Sequence, residues 1–154
     1  MDRLLIGHGV LVRKLSVLAF ASMVAGIVGQ FYAGALVSWS PFVIAIQVCG
    51  ALLMVWARVT FGKRSFHPAA DPTAGGLVTT GPYRHLRHPI YSAIMFVVWP
   101  PAIAAGSILP IACAALITAG AMVRMLCEEY LLVRQYPEYV DYARVTKRMI
   151  PFVF

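Results

Sequence analysis

Residues 88–123 read HPIYSAIMFVVWPPAIAAGSILPIACAALITAGAMV, and no Lys, Arg, Asp or Glu interrupts them. A second uncharged run separates Lys14 from Arg58. A bilayer core takes about 20 apolar residues per helix, so each run has room for two helices and a turn. A soluble chain of 154 residues would have to bury such runs on every side, which its size does not permit. The composition agrees, with 60% of residues hydrophobic and 12% charged. The expected fold is all-α: one integral membrane domain with four transmembrane helices and a C-terminal cytoplasmic or interfacial helix.

Turn signals divide the runs. Gly106-Ser107 splits residues 88–123 into a third span of about 89–105, bent at Pro100-Pro101, and a fourth from Ile108 to about Tyr136. Ser38-Trp39-Ser40-Pro41 splits the earlier run into spans of about 15–36 and 42–61. Ala21, Ala25 and Gly29, four apart, predict a face for close helix approach. The domain thus divides into two N-terminal spans (1–61), a cytoplasmic loop (62–88) and a second half (89–154). The loop carries Pro68, Pro72, Gly75 and Gly76, and its length suits a functional lid. Pro137 ends the fourth helix. Tyr139, Tyr142, Ala143 and Met149 then share one side of a short helix, with Arg144, Lys147 and Arg148 on another, as on acidic headgroups.

The net charge of +7 reports sidedness, not nucleic acid, because no basic recognition helix accompanies it. With four spans, both termini and the 62–88 loop share one side, and the two opposite turns carry no charge. The positive-inside rule makes the basic side cytoplasmic, which in a bacterium means the inner (plasma) membrane. Cys49, Cys113 and Cys127 fall within expected helices and read as small apolar residues. His85 and His88 have ligand-like spacing but no companion ligands nearby, so no metal is expected.

Polar chemistry gathers at the two margins of the 88–123 run. Before it stands Gly81-Pro82-Tyr83-Arg84-His85-Leu86-Arg87, and after it Arg124, Glu128 and Glu129. A helix starting at Pro89 offers unpaired N–H groups and a partial positive charge, reinforced by Arg84, Arg87 and His88. Lipid-phosphate anchoring explains Arg84 equally well, and interfacial placement explains Tyr83 and Tyr91. Two adjacent acids at a bilayer border, in a chain with only six, are costly unless paired or used. Successive helical positions diverge by about 100°, so one of the two faces a given pocket. Glu129 is the expected one, because Arg124 lies four residues before Glu128. An anion-binding helix start opposite a carboxylate suits a zwitterion.

The run Gly81-Pro82-Tyr83-Arg84, then Arg87-His88-Pro89-x-Tyr91, resembles the signature of the isoprenylcysteine carboxyl methyltransferase family. Glu128-Glu129-x-x-Leu132, Tyr136-x-x-Tyr139-x-x-Tyr142 and Ile150-Pro151 continue the resemblance, which covers about residues 75–151. Phospholipid N-methyltransferases and bacterial small-thiol methyltransferases resemble the same half. Tyr136-Pro137 departs from the Phe-Gly frequent in the family, which alters a helix break and no reactive group.

The resemblance implies an S-adenosylmethionine-dependent methyltransferase acting on a lipophilic or lipidated acceptor among membrane lipids, with a carboxylate first in line. Gly81, Tyr83, Arg84, Arg87, His88, Pro89, Tyr91 and Glu129 are the implied cofactor residues, with Tyr91 packed on the adenosyl group. Arg124, Glu128 and Glu129 are the implied catalytic residues. Nitrogen of a lipid headgroup and sulfur of a small thiol are the alternative acceptors. A nicotinamide-dependent membrane reductase and a non-enzymatic membrane protein are the other classes, and the nearly apolar mid-spans argue against solute transport.

Overall fold

The computed structural model describes residues 2–62 and 76–149. The helices there are α1 (Asp2–Tyr32), α2 (Pro41–Phe61), α3 (Pro89–Ala104), α4 (Ile108–Gln135) and α5 (Tyr139–Val145). A 3-10 turn, Gly81–Arg84, leads into α3. The one pairing of β type among the described residues is an isolated parallel bridge between Leu86 and Lys147. Residues 63–75 of the 62–88 loop, and the Ile150-Pro151 pair, lie outside the described residues.

The protein is an all-α integral membrane protein. Helices α1, α2 and α4 are long and apolar enough to cross a bilayer. The expected third span is the short one. At 16 residues α3 rises about 24 Å, against roughly 30 Å for a hydrocarbon core. It packs between α2 and α4.

Neighbouring helices run antiparallel. Gln30 of α1 reaches Pro110 at the start of α4, while Phe20 reaches Arg124 toward the end of α4. Gln47 of α2 reaches Val97 of α3, and Thr60 lies against Gly81 just ahead of α3. One end of the bundle therefore collects the end of α2, the start of α3 and the far part of α4.

The α1 face that meets α4 is Ser16, Ala19, Met23, Gly26 and Gln30, a spacing of alternating three and four that follows one helical stripe. The expected small-residue face is corrected here: Ala21 and Ala25 are exposed, and of that trio Gly29 alone meets α4, at Cys113. Shape complementarity decides the face. A Cβ on Gly26 would stand 2.9 Å from the Cys113 carbonyl, and one on Gly120 would stand 2.7 Å from that of Ala19. The two backbones touch where glycine permits it.

The Pro100-Pro101 pair lies inside α3. Pro101 has no N–H, so the Val97 carbonyl loses its helical donor. Gln47 Nε2 supplies the bond at 3.0 Å and also donates to Leu36 O at 2.8 Å. Gln30 Nε2 donates to the carbonyls of Val98 and Pro110 at 3.1 and 3.3 Å. In lipid, freed backbone groups need such partners from within the protein.

The core joins Met23, Tyr91, Val98, Ile117 and Met125, with Met149 of the C-terminal segment against its polar end. The C-terminal helix is present as α5, but its aromatic side is spent on protein. Tyr139 is buried, and Tyr142 donates its hydroxyl to the Tyr83 carbonyl at 2.6 Å.

Candidate active site at the α3–α4 end

Gly81 opens the turn because its φ is +57°, a conformation that favours glycine, and because Thr60 Oγ1 would lie 2.6 Å from any Cβ. Pro82 and Tyr83 are buried in the turn, with the Tyr83 ring 5.5 Å from that of Phe61. Pro89 at the first helical position is likewise buried and starts α3 with a fixed φ. These three residues, Gly81, Tyr83 and Pro89, shape the entry to the helix.

The segment after α5 straps this turn in place. Arg87 N–H donates to Lys147 O at 2.7 Å, His88 N–H to Arg148 O at 3.0 Å, and Lys147 N–H to His85 O at 3.1 Å. Ser92 Oγ donates to Met149 O. The His88 amide is therefore used by the chain itself.

His88 is buried between both acids. Its Nδ1 lies 3.6 Å from Glu128 Oε2, and its Nε2 lies 3.4 Å from Glu129 Oε1. Facing a carboxylate from each ring nitrogen favours the doubly protonated imidazolium. Burial pulls the His88 pKa down, but the hydrogen bonds and charges of Glu128 and Glu129 outweigh it and raise it above the ordinary value.

The two acids differ in their company. Glu129 takes Arg87 Nε at 3.0 Å, Arg148 Nε at 3.1 Å and His88. The Arg87 contact is one of charge and not an aligned hydrogen bond, because Arg87 Nε has no acceptor in line. Arg87 is otherwise fixed by donating to the carbonyls of Ala143 and Thr146. Glu128 takes the Tyr91 hydroxyl at 2.6 Å and Arg124 Nε at 3.3 Å. Arg124 Nε also donates to the Tyr91 hydroxyl at 2.8 Å, and its guanidinium lies 5.2 Å from the Phe20 ring. The side chain of Glu128 is 26% exposed and that of Glu129 13%.

The expected site residues therefore divide. Arg87, His88, Tyr91, Arg124, Glu128 and Glu129 come together in one connected network. Arg84 is exposed and stands outside it, as does His85. Arg148 is the member that the sequence reading assigned to lipid headgroups; the strap turns it inward to Glu129. Around the network, burial pushes the Tyr83, Tyr139 and Tyr142 hydroxyls up, Tyr142 to about 12, so all three stay neutral. Among the described residues no group of three His, Cys, Asp or Glu side chains is arranged to hold a metal ion.

The sequence model of the phospholipid methyltransferase family matches residues 59–139, just over half of the chain. Neither the curated proteins nor the solved structures give a significant match. The matched range holds the turn, α3 and α4, and every network residue except Arg148. Members of the family typically use S-adenosylmethionine. The chain belongs to the phospholipid methyltransferase family, a family of membrane methyltransferases that includes the isoprenylcysteine carboxyl methyltransferases.

Proposed function

We propose that the protein transfers the methyl group of S-adenosylmethionine to the carboxylate of a lipophilic, thioether-bearing acceptor at the cytoplasmic face of the membrane. The supporting observation is the balance of charge in the network. Arg87, Arg124, Arg148 and a protonated His88 face two carboxylates, Glu128 and Glu129. A surplus of positive charge at the membrane border suits an anionic acceptor. About 20 residues of α4 cross the hydrocarbon core from Ile108, so Glu128 and Glu129 emerge at its edge.

The residues fit the donor, which carries a carboxylate, an ammonium and a sulfonium. Glu128 is the carboxylate we assign to its ammonium or ribose hydroxyls, because Glu129 already has three cationic partners and is the less exposed. Tyr91 and Arg124 hold Glu128 in one orientation. When bound, the donor supplies an electrophilic methyl carbon. An acceptor carboxylate oxygen bonds to that carbon as the carbon–sulfur bond breaks, and sulfur keeps the electron pair as a neutral thioether. No proton moves, so no base is needed. Alignment and exclusion of water then supply much of the rate.

A lipid amine is the second reading, favoured by the description of the matched family. It must lose a proton before it attacks. His88 is poorly suited to accept one, since two carboxylates hold it protonated.

The test incubates detergent-purified protein with methyl-labelled donor and either a prenylated cysteine thioether or phosphatidylethanolamine vesicles. Base-labile label in the thioether, released as methanol, is the expected result. Label in the headgroup amine alone overturns the acceptor assignment. No transfer to either, with NADPH bound instead, overturns the methyltransferase reading.

A further inference from the structure

We infer that Arg148 is the carboxylate-recognition residue of this site, a substrate-binding group contributed by the C-terminal strap from beyond the range that the family model matches. This rests on the methyl-transfer reading above. The backbone around Arg148 is pinned: its carbonyl accepts from the His88 amide at 3.0 Å, Lys147 exchanges bonds with His85 and Arg87, and Met149 O accepts from Ser92. From that fixed Cα the side chain reaches back, and its Nε lies 3.1 and 3.4 Å from the two oxygens of Glu129.

Of the three network arginines, Arg148 has the side chain most open to solvent. Arg124 is 8% exposed in its side chain and held between Tyr91, Glu128 and the Phe20 ring. Arg87 is 10% exposed and donates to two carbonyls of the α5–strap segment. The Arg148 side chain is 35% exposed. Its loss from Glu129 leaves that acid still facing Arg87 and His88, so the acid is not abandoned when Arg148 turns to a ligand. A planar guanidinium also matches a carboxylate better than an ammonium does.

The carboxylate comes either from the donor's amino-acid end or from the ionised acceptor, and the experiment separates the two. The full chain is compared as wild type, Arg148→Gln and Arg148→Lys, each first shown to melt cooperatively in detergent. Calorimetry follows S-adenosylmethionine and its decarboxylated analogue, and kinetics follow a prenylated cysteine acceptor. If the donor's carboxylate is recognised, Arg148→Gln loses about tenfold or more in affinity for S-adenosylmethionine and none for the decarboxylated analogue. If the acceptor's is recognised, donor affinity stays and the acceptor KM rises by a similar factor with kcat kept. Either way, Arg148→Lys recovers part of the loss. A glutamine variant matching wild type in every measurement overturns the inference, as does an equal loss for both donors. A wild-type protein that binds neither donor overturns the methyltransferase reading itself, a result distinct from a variant that matches an active wild type.

Discussion

Tyr91 donates its hydroxyl to Glu128 Oε1 at 2.6 Å while accepting from Arg124 Nε at 2.8 Å. The hydroxyl thus joins the first turn of α3 to the far part of α4 at a buried position. Tyr91→Phe removes the bridge, while Arg124 Nε and Glu128 keep their 3.3 Å contact. The expected cost is about 1–3 kcal/mol in stability, and cofactor affinity falls with it as Glu128 loses its fixed orientation. Melting and calorimetry on the same sample measure both. An unchanged melting temperature would mean that the bridge contributes nothing.

His88 gives the protein a pH dependence of definite sign. Its folded-state pKa is raised by Glu128 and Glu129 despite burial. Its stabilising contribution is therefore complete below the unfolded value of about 6.5 and is lost as pH rises through the folded value. The melting temperature of wild type should fall more steeply on the alkaline side of about 6.5 than that of His88→Gln. Parallel curves for the two proteins would show that His88 is not charged in the fold.

Gly120 allows α1 and α4 to touch. A methyl there meets the Ala19 carbonyl at 2.7 Å and Met23 Cγ at 2.7 Å, whereas one on Gly9 has nothing within 4 Å. Gly120→Ala should destabilise by about 1–3 kcal/mol. Gly9→Ala should be neutral or stabilising by up to about 1 kcal/mol through helix propensity. Thermal unfolding of the pair in one detergent distinguishes a packing effect from a propensity effect.

By the positive-inside rule, the charge pattern puts the network end on the cytoplasmic side in our proposal. In a background with Cys49, Cys113 and Cys127 replaced, a cysteine at Ser40 or Ser107 should react with an impermeant reagent applied to intact cells. One at the exposed Lys147 should react only after lysis. The reverse pattern would put the network on the outer face.

The membrane class and the starts of α2, α3 and α4 were legible because they depend on local signals: uncharged runs, Pro41, Pro89 and the Gly106-Ser107 turn; the first helix, expected over about 15–36, instead spans Asp2–Tyr32. The gathering of His88, Tyr91, Arg124, Glu128 and Glu129 followed from two polar margins on one apolar hairpin. Arg148 was not legible. Its inward turn depends on the pairing of the strap with residues 85–88, a contact between segments far apart in sequence that no periodicity encodes. The α1 contact face also escaped, since small residues at a spacing of four marked Ala21 and Ala25, while the shapes of Cys113, Ile117 and Gly120 selected Ala19, Met23 and Gly26. Gln30 and Gln47 lie within α1 and α2. Their carbonyl partners explain them once α3 is in place.

Comparing Glu128→Gln with Glu129→Gln tests the central claim most directly. The helical spacing gives the acids different surroundings, and Glu129 was expected to face the cofactor because Arg124 stands beside Glu128. The geometry supports the other assignment: Glu129 is taken by Arg87, Arg148 and His88, and Glu128 is the more exposed. Titration of S-adenosylmethionine should show Glu128→Gln weakened by about 1.5–3 kcal/mol, roughly tenfold to over a hundredfold. Glu129→Gln should instead lower the melting temperature, because it leaves buried cations short of a counter-charge, with the smaller effect on affinity. Unchanged donor affinity in both folded variants would contradict the proposed cofactor site.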